Sequence, residues 1–180
     1  MAQLTAIILP GIFVLLLLTE QIVPLRQRTS PLLPRLVKNL ILTATVFLVG
    51  SLVVRSAGIG ASVWTTERGI GIVFLVPLPR WSRMAIGVLL MDLTFYYWHR
   101  ANHRIRLLWR FHNVHHIDPD MDVSTSYRFH FAEIAYSSIF RVFQMLLVGA
   151  DPVTYAVYET MFSAETMLHH SNIRLPIGLE

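Results

Sequence analysis

The feature that most limits what this chain can fold into is its opening run, Leu4 to Val23, which stays apolar until Glu20 and is long enough to cross a bilayer. Pro10 and Gly11 form a tolerated weak point near its centre. No Lys or Arg precedes Arg26, so the run lacks the charged start of a cleaved signal and is expected to remain as a membrane anchor. Further apolar runs follow at Asn39 to Val54 and Met84 to Trp98, with a helical hairpin expected from Ile134 to Gly149 and Val153 to Leu168. Scattered glycines, prolines and tryptophans over residues 56 to 83 suit an interfacial or re-entrant segment. With 54% hydrophobic and 14% charged residues, the expectation is an all-α integral membrane helical bundle of about four to five membrane helices. Arg141, Glu159 and Glu165 inside the hairpin should then face protein or water.

The net charge of +4 does not point to nucleic acid, because the cations sit at the ends of apolar runs, where anionic headgroups explain them better. If Pro24 to Lys38 is a cytoplasmic loop, counting crossings puts residues 99 to 133 on the same side, and the excess of Lys and Arg in those two loops agrees. A cytoplasm-facing histidine-rich metal site follows, in a bacterial inner membrane or the endoplasmic reticulum. Cysteine is absent, which excludes disulfides, thiolate zinc sites and iron–sulfur clusters held by this chain.

All eight histidines lie between positions 99 and 170. His99 and His103 are four residues apart, so on a helix both imidazoles stand on one face within reach of one ion. His112, His115 and His116 repeat that arrangement with a neighbour turned about 100° around the axis, able to reach a second ion. So many clustered imidazoles suggest two metals and are compatible with iron, zinc or copper. Arg100 stands where a zinc peptidase helix needs glutamate, which argues against hydrolysis. Asp92 shares the face of the first histidine pair and is a candidate to orient a ligand imidazole. Asp118, Asp120 and Asp122 resemble the start of a calcium loop but lack its glycine and distal glutamate, so a polar loop is expected. Arg100, Arg104, Arg106 and Arg110 are expected to face headgroups, the alternative being a docking patch for an acidic electron carrier.

The stretch from Asp92 through His99 and His103, followed by Leu108-Trp-Arg-Phe-His112-Asn-Val-His115-His116, resembles the fatty acid hydroxylase/sterol desaturase superfamily. The likeness continues through Met121-Asp-Val-Ser-Thr, Arg128-Phe-His130-Phe-Ala-Glu133 and His169-His170-Ser-Asn-Ile-Arg-Leu-Pro176. The resemblance implies a di-iron centre, with zinc possible in its place, that hydroxylates or desaturates a fatty acyl chain or sterol using dioxygen. It also implies an external electron donor, cytochrome b5-like or ferredoxin-like. His99, His103, His112, His115, His116 and His170 are the implied metal ligands, with His130 a further candidate. Residues 1–83 form the expected anchor and residues 84–180 the catalytic domain. The resemblance further implies a His-x-x-His-His box beyond Pro176 that the sequence to Glu180 does not contain. The metal site is therefore expected to be incomplete, and a truncated, non-catalytic lipid- and metal-binding membrane protein is the alternative.

Overall fold

The computed structural model describes residues 2–176; the end of the expected catalytic domain, residues 177–180, lies outside the described residues. Helices dominate it: α1 (Ala2–Ile22), α2 (Leu32–Val49), α3 (Ser56–Arg68), α4 (Arg80–Arg104), α5 (Arg106–His116), α6 (Phe131–Val148) and α7 (Pro152–His170). Three stretches, Thr5–Ile22, Leu32–Phe74 and Phe131–Val148, are long and apolar enough to cross a membrane. Leu15, Leu18, Leu40, Ile41, Phe47 and Leu48 are exposed on α1 and α2, as side chains facing lipid are.

Two differences from the sequence reading concern the first half. The expected loop to Lys38 is shorter, because α2 already starts at Leu32. The expected interfacial segment is helical over its first part: a wider π-helical stretch, Gly50–Arg55, carries α2 without interruption into α3. Gly58 is there a packing residue within α3, since a Cβ would collide with the Tyr155 hydroxyl. The chain turns only at Gly69, whose φ of 63° is the left-handed conformation that ends helices.

The long helices run between two ends of the molecule. Tyr136 donates to Asn102 and Gln144 to the Met91 carbonyl, so α4 and α6 are antiparallel. Contacts between Thr5 and Thr160 at one level and Glu20 and Asn172 at the other make α1 parallel to α7. At the end remote from the histidines, Gly71 and Gly149 meet with φ of 119° and 80°. A side chain on either would strike the other's backbone, which lets the α3–α4 and α6–α7 turns pack together. Asp151 then caps α7 by accepting from the Thr154 amide at 2.7 Å, with Pro152 at the first turn. A core of Val73, Met91, Met145, Val148, Tyr155 and Tyr158 fills the bundle between the two ends.

Arg141 is buried in this bundle at 6% exposure, where it pairs with Glu159 at 2.9 Å and Gln144. It faces protein, as expected of a charge there, while Glu165 is exposed.

Candidate metal centre

The histidine end is built by a break between two helices. α4 stops at Arg104, Ile105 alone is extended, and α5 restarts at Arg106. Residues 104 to 111, which join the two histidine groups, are thus mostly helix, and the turn at Ile105 folds α5 back onto the last turns of α4. His99 and His103 on α4 meet His112 and His116 on α5, with one ligand nitrogen from each lying within 4.8 Å of the others. The Nε2 atoms of His99 and His103 are 3.1 Å apart, and those of His112 and His116 are 3.2 Å apart. The i, i+4 spacing in each helix produces both pairs.

His115 leaves that group and turns toward α7. Its Nε2 is 2.5 Å from Nε2 of His170, and its ring centroid lies 5.0 Å from that of His116, so the two groups adjoin. His115 is 3% exposed, whereas His103 and His116 lie on the exposed edge. Phe129 stacks on His115 with centroids 4.5 Å apart, Trp109 lies against His116 and His103, and Phe95 stacks under His99.

Two hydrogen bonds fix the direction of the lone pairs. His112 Nδ1 is 2.7 Å from Glu133 Oε1, and His170 Nδ1 is 2.7 Å from the Thr166 carbonyl. A carbonyl only accepts, so Nδ1 of His170 carries the proton and its Nε2 presents a lone pair to His115. The Glu133 carboxylate imposes the same arrangement on His112, in the manner of carboxylate–histidine pairs behind metal ions. His112 and His170 therefore each turn an Nε2 lone pair toward the neighbouring imidazoles, and the converging ring nitrogens form an all-imidazole donor set. It fits iron, zinc or copper.

The electrostatics agree. Burial, then the neighbouring imidazoles His112, His103, His116 and His170, hold His99 down at about 4. Burial with His112, His103 and His170 brings His116 to about 4, and burial with His170, His116 and His112 brings His115 to about 2. His103 and His170 are also lowered, chiefly by burial. Neutral imidazoles at pH 7 leave their lone pairs available without competition from protons.

The remaining candidates fall outside this cluster. His130 caps α6, its Nδ1 accepting from the Ala132 amide at 3.1 Å, and stacks on Phe131. His169 is exposed. Asp92 is exposed too and, among the described residues, makes no hydrogen bond to a histidine. It shares a helix face with His99 but lies seven residues away, roughly 10 Å along the axis. The carboxylate that does reach an imidazole is Glu133, to which sequence reasoning assigns no role. Its signal is a lone acid in the first turn of an apolar helix.

The loop after α5 shows where the nearby charges go. Arg35 bonds Asp122 at 2.6 Å and Asp118 at 3.1 Å, Arg128 bonds Asp118 at 2.6 Å, and Asp120 accepts from the amides of Thr29 and Ser30. Arg35 is thus not a headgroup contact, and the three aspartates form the expected polar loop.

The sequence model of the family described as fatty acid hydroxylase matches residues 84–179. This chain belongs to that family. It is similar to the very-long-chain aldehyde decarbonylase GL1-8 of Oryza sativa subsp. indica, 32% identical over 117 residues, covering 63% of this chain and 44% of the relative. It is also similar to the alkylglycerol monooxygenase of Homo sapiens, 32% identical over 78 residues, or 43% of this chain and 16% of the relative. The ornithine lipid hydroxylase OlsE of Rhizobium tropici is 25% identical over 100 residues, or 56% of this chain and 30% of the relative. The chain spans less than half the length of these curated relatives. No solved structure matches it.

Proposed function

We propose that this fatty acid hydroxylase family member is a membrane-bound, iron-dependent oxidoreductase that hydroxylates or desaturates a fatty acyl chain or sterol with dioxygen. The observation that carries this reading is the convergence of ring nitrogens from His99, His103, His112 and His116, next to the His115–His170 pair. The first group would hold one iron ion and His115 with His170 would contribute to a second. Bound iron supplies redox chemistry with dioxygen, which no side chain of this chain supplies.

The protein's own contribution is positional. Glu133 holds the His112 Nδ1 proton, and Thr166 holds that of His170, so neither ring turns its lone pair away. The aromatic shell of Phe95, Trp109 and Phe129 limits ring rotation and keeps water from the buried side. Phe95 also packs through Phe162 and Tyr158 into the bundle core, which braces the α4 side of the site. The exposed edge at His103 and His116 accommodates further ligands. Hydroxylation consumes dioxygen, two electrons and two protons and releases water; the electrons come from an external donor of the cytochrome b5 or ferredoxin type. The cytoplasmic orientation rests on the excess of Lys and Arg in the loops at the histidine end. In this reading residues 1–83 anchor and brace the catalytic residues 84–180.

The test supplies iron, a reductant and mixed lipids to protein purified in detergent and seeks hydroxylated or desaturated product by mass spectrometry. Product that disappears in His99→Ala supports the reading. Bound metal without product favours the non-catalytic alternative.

A further inference from the structure

Glu20 is the one carboxylate in the last turns of α1, and it is 1% exposed. An acid in an apolar helix needs compensation, and here one oxygen supplies it twice. Glu20 Oε1 accepts the amide of Val123 at 2.8 Å and the amide of Asn172 at 2.8 Å. Val123 belongs to the loop that leaves His115 and His116, and Asn172 lies two residues beyond His170. A single side chain from the first helix thus ties together the two backbone segments that flank the His115–His170 pair.

The tie is reinforced around Asn172, every polar group of which is engaged. Its carbonyl accepts from the Leu25 amide, its Oδ1 accepts from the Arg26 amide, and its Nδ2 donates to the Arg26 carbonyl, each at 2.9 Å. The Arg174 amide bonds the Val23 carbonyl at 3.0 Å. Nothing comparable, among the described residues, links α1 to the group of His99, His103, His112 and His116, which α4, α5 and Glu133 position among themselves.

We propose that Glu20 is a positioning residue for the His115–His170 pair, so that the N-terminal anchor sets the affinity of the second metal position and not of the first. The proposal rests on the metal-binding reading above. Two charge-assisted bonds to backbone hold His115 and His170 in register before an ion arrives, which removes an ordering cost from binding at that position.

The experiment uses the full chain in detergent micelles, with cobalt(II) as the probe for metal and amide hydrogen exchange of the metal-free protein as an independent readout. In Glu20→Ala, exchange should accelerate over residues 121–125 and 170–174 while α4 and α5 keep wild-type protection. Cobalt should occupy the first position as in wild type, and its second-position affinity should fall by roughly 10- to 100-fold. Glu20→Gln retains an acceptor oxygen without the charge and should lie between Glu20→Ala and wild type in both readouts. If Glu20→Ala does not fold, Asn172→Ala serves instead, with the same loss confined to the second position. Two cobalt ions bound equally well by wild type and Glu20→Ala overturns this inference alone, as does an equal weakening of both positions. Wild-type protein that binds no cobalt overturns the metal reading and this inference with it.

Discussion

His115 and His170 are 55 positions apart in sequence, yet their Nε2 atoms face each other at 2.5 Å, beside the four-histidine group. The pair joins the end of α5 to the end of α7, so it exists only when the whole bundle has closed. It also gives the cluster two parts, and a two-part cluster behaves differently from a single site when its members are removed one at a time.

Replacing His115 or His170 by Ala should lower bound metal by about one ion per chain and leave the ion held by His99, His103, His112 and His116. Metal analysis after equilibrium titration checks this. An undiminished metal content in both variants would contradict the division.

Glu133→Ala should weaken metal binding at the four-histidine group by roughly 10- to 100-fold, because His112 loses the acceptor that fixes its tautomer. Glu133→Gln should lie between it and wild type, since the amide oxygen still accepts from Nδ1. The comparison requires only metal titration of the two proteins.

Metal-free protein should lose stability as pH falls. His99 and His116 have pKa values lowered from 6.5 to about 4, so the unfolded chain takes up protons that the folded one refuses. Their contribution is complete above pH 6.5 and is lost as pH drops through the window down to about 4. Thermal melting of metal-free protein in detergent between pH 7.5 and pH 4 measures it; a melting temperature flat across that window would count against the burial of these rings.

The sequence leaves Arg141 facing either protein or water, and the structure settles on protein, burying it against Glu159, Gln144 and the faces of Tyr155 and Tyr158. Arg141→Leu should therefore destabilise the bundle, toward the lower side of the roughly 3–5 kcal/mol for a broken buried pair, because Glu159 keeps 37% of its side chain exposed. The double variant Arg141→Leu, Glu159→Leu should recover much of the loss. Melting temperatures of the three proteins decide it.

What is legible in the sequence is what local periodicity controls. An i, i+4 spacing puts two side chains on one helix face whatever surrounds the helix, so the pairs His99–His103 and His112–His116 can be read from spacing alone. The same local logic identifies α6 and α7 and the turn at Asp151 and Pro152. It fails where a residue's role depends on a partner far along the chain. Asp92 has the right face but the wrong height, whereas Glu133 reaches His112 because α6 packs beside α5. Arg35 reads as a headgroup contact because Asp122, 87 positions away, is its partner only in the folded chain. His130 resembles a ligand by context but stands where a helix begins, with its Nδ1 capping α6 outside the four-histidine group. Gly58 reads as part of an interfacial or re-entrant segment, yet it lies inside α3 and Tyr155 fills the space beside it.

The central claim is a two-part histidine metal site, and an equilibrium iron(II) titration of anaerobic, detergent-purified protein tests it most directly. Read by Mössbauer spectroscopy with metal analysis, wild type should bind two ions per chain, His115→Ala one, and a variant lacking His99, His103, His112 and His116 no ion at the first position. Wild-type protein that binds no more iron than the variant stripped of those four histidines would contradict the account.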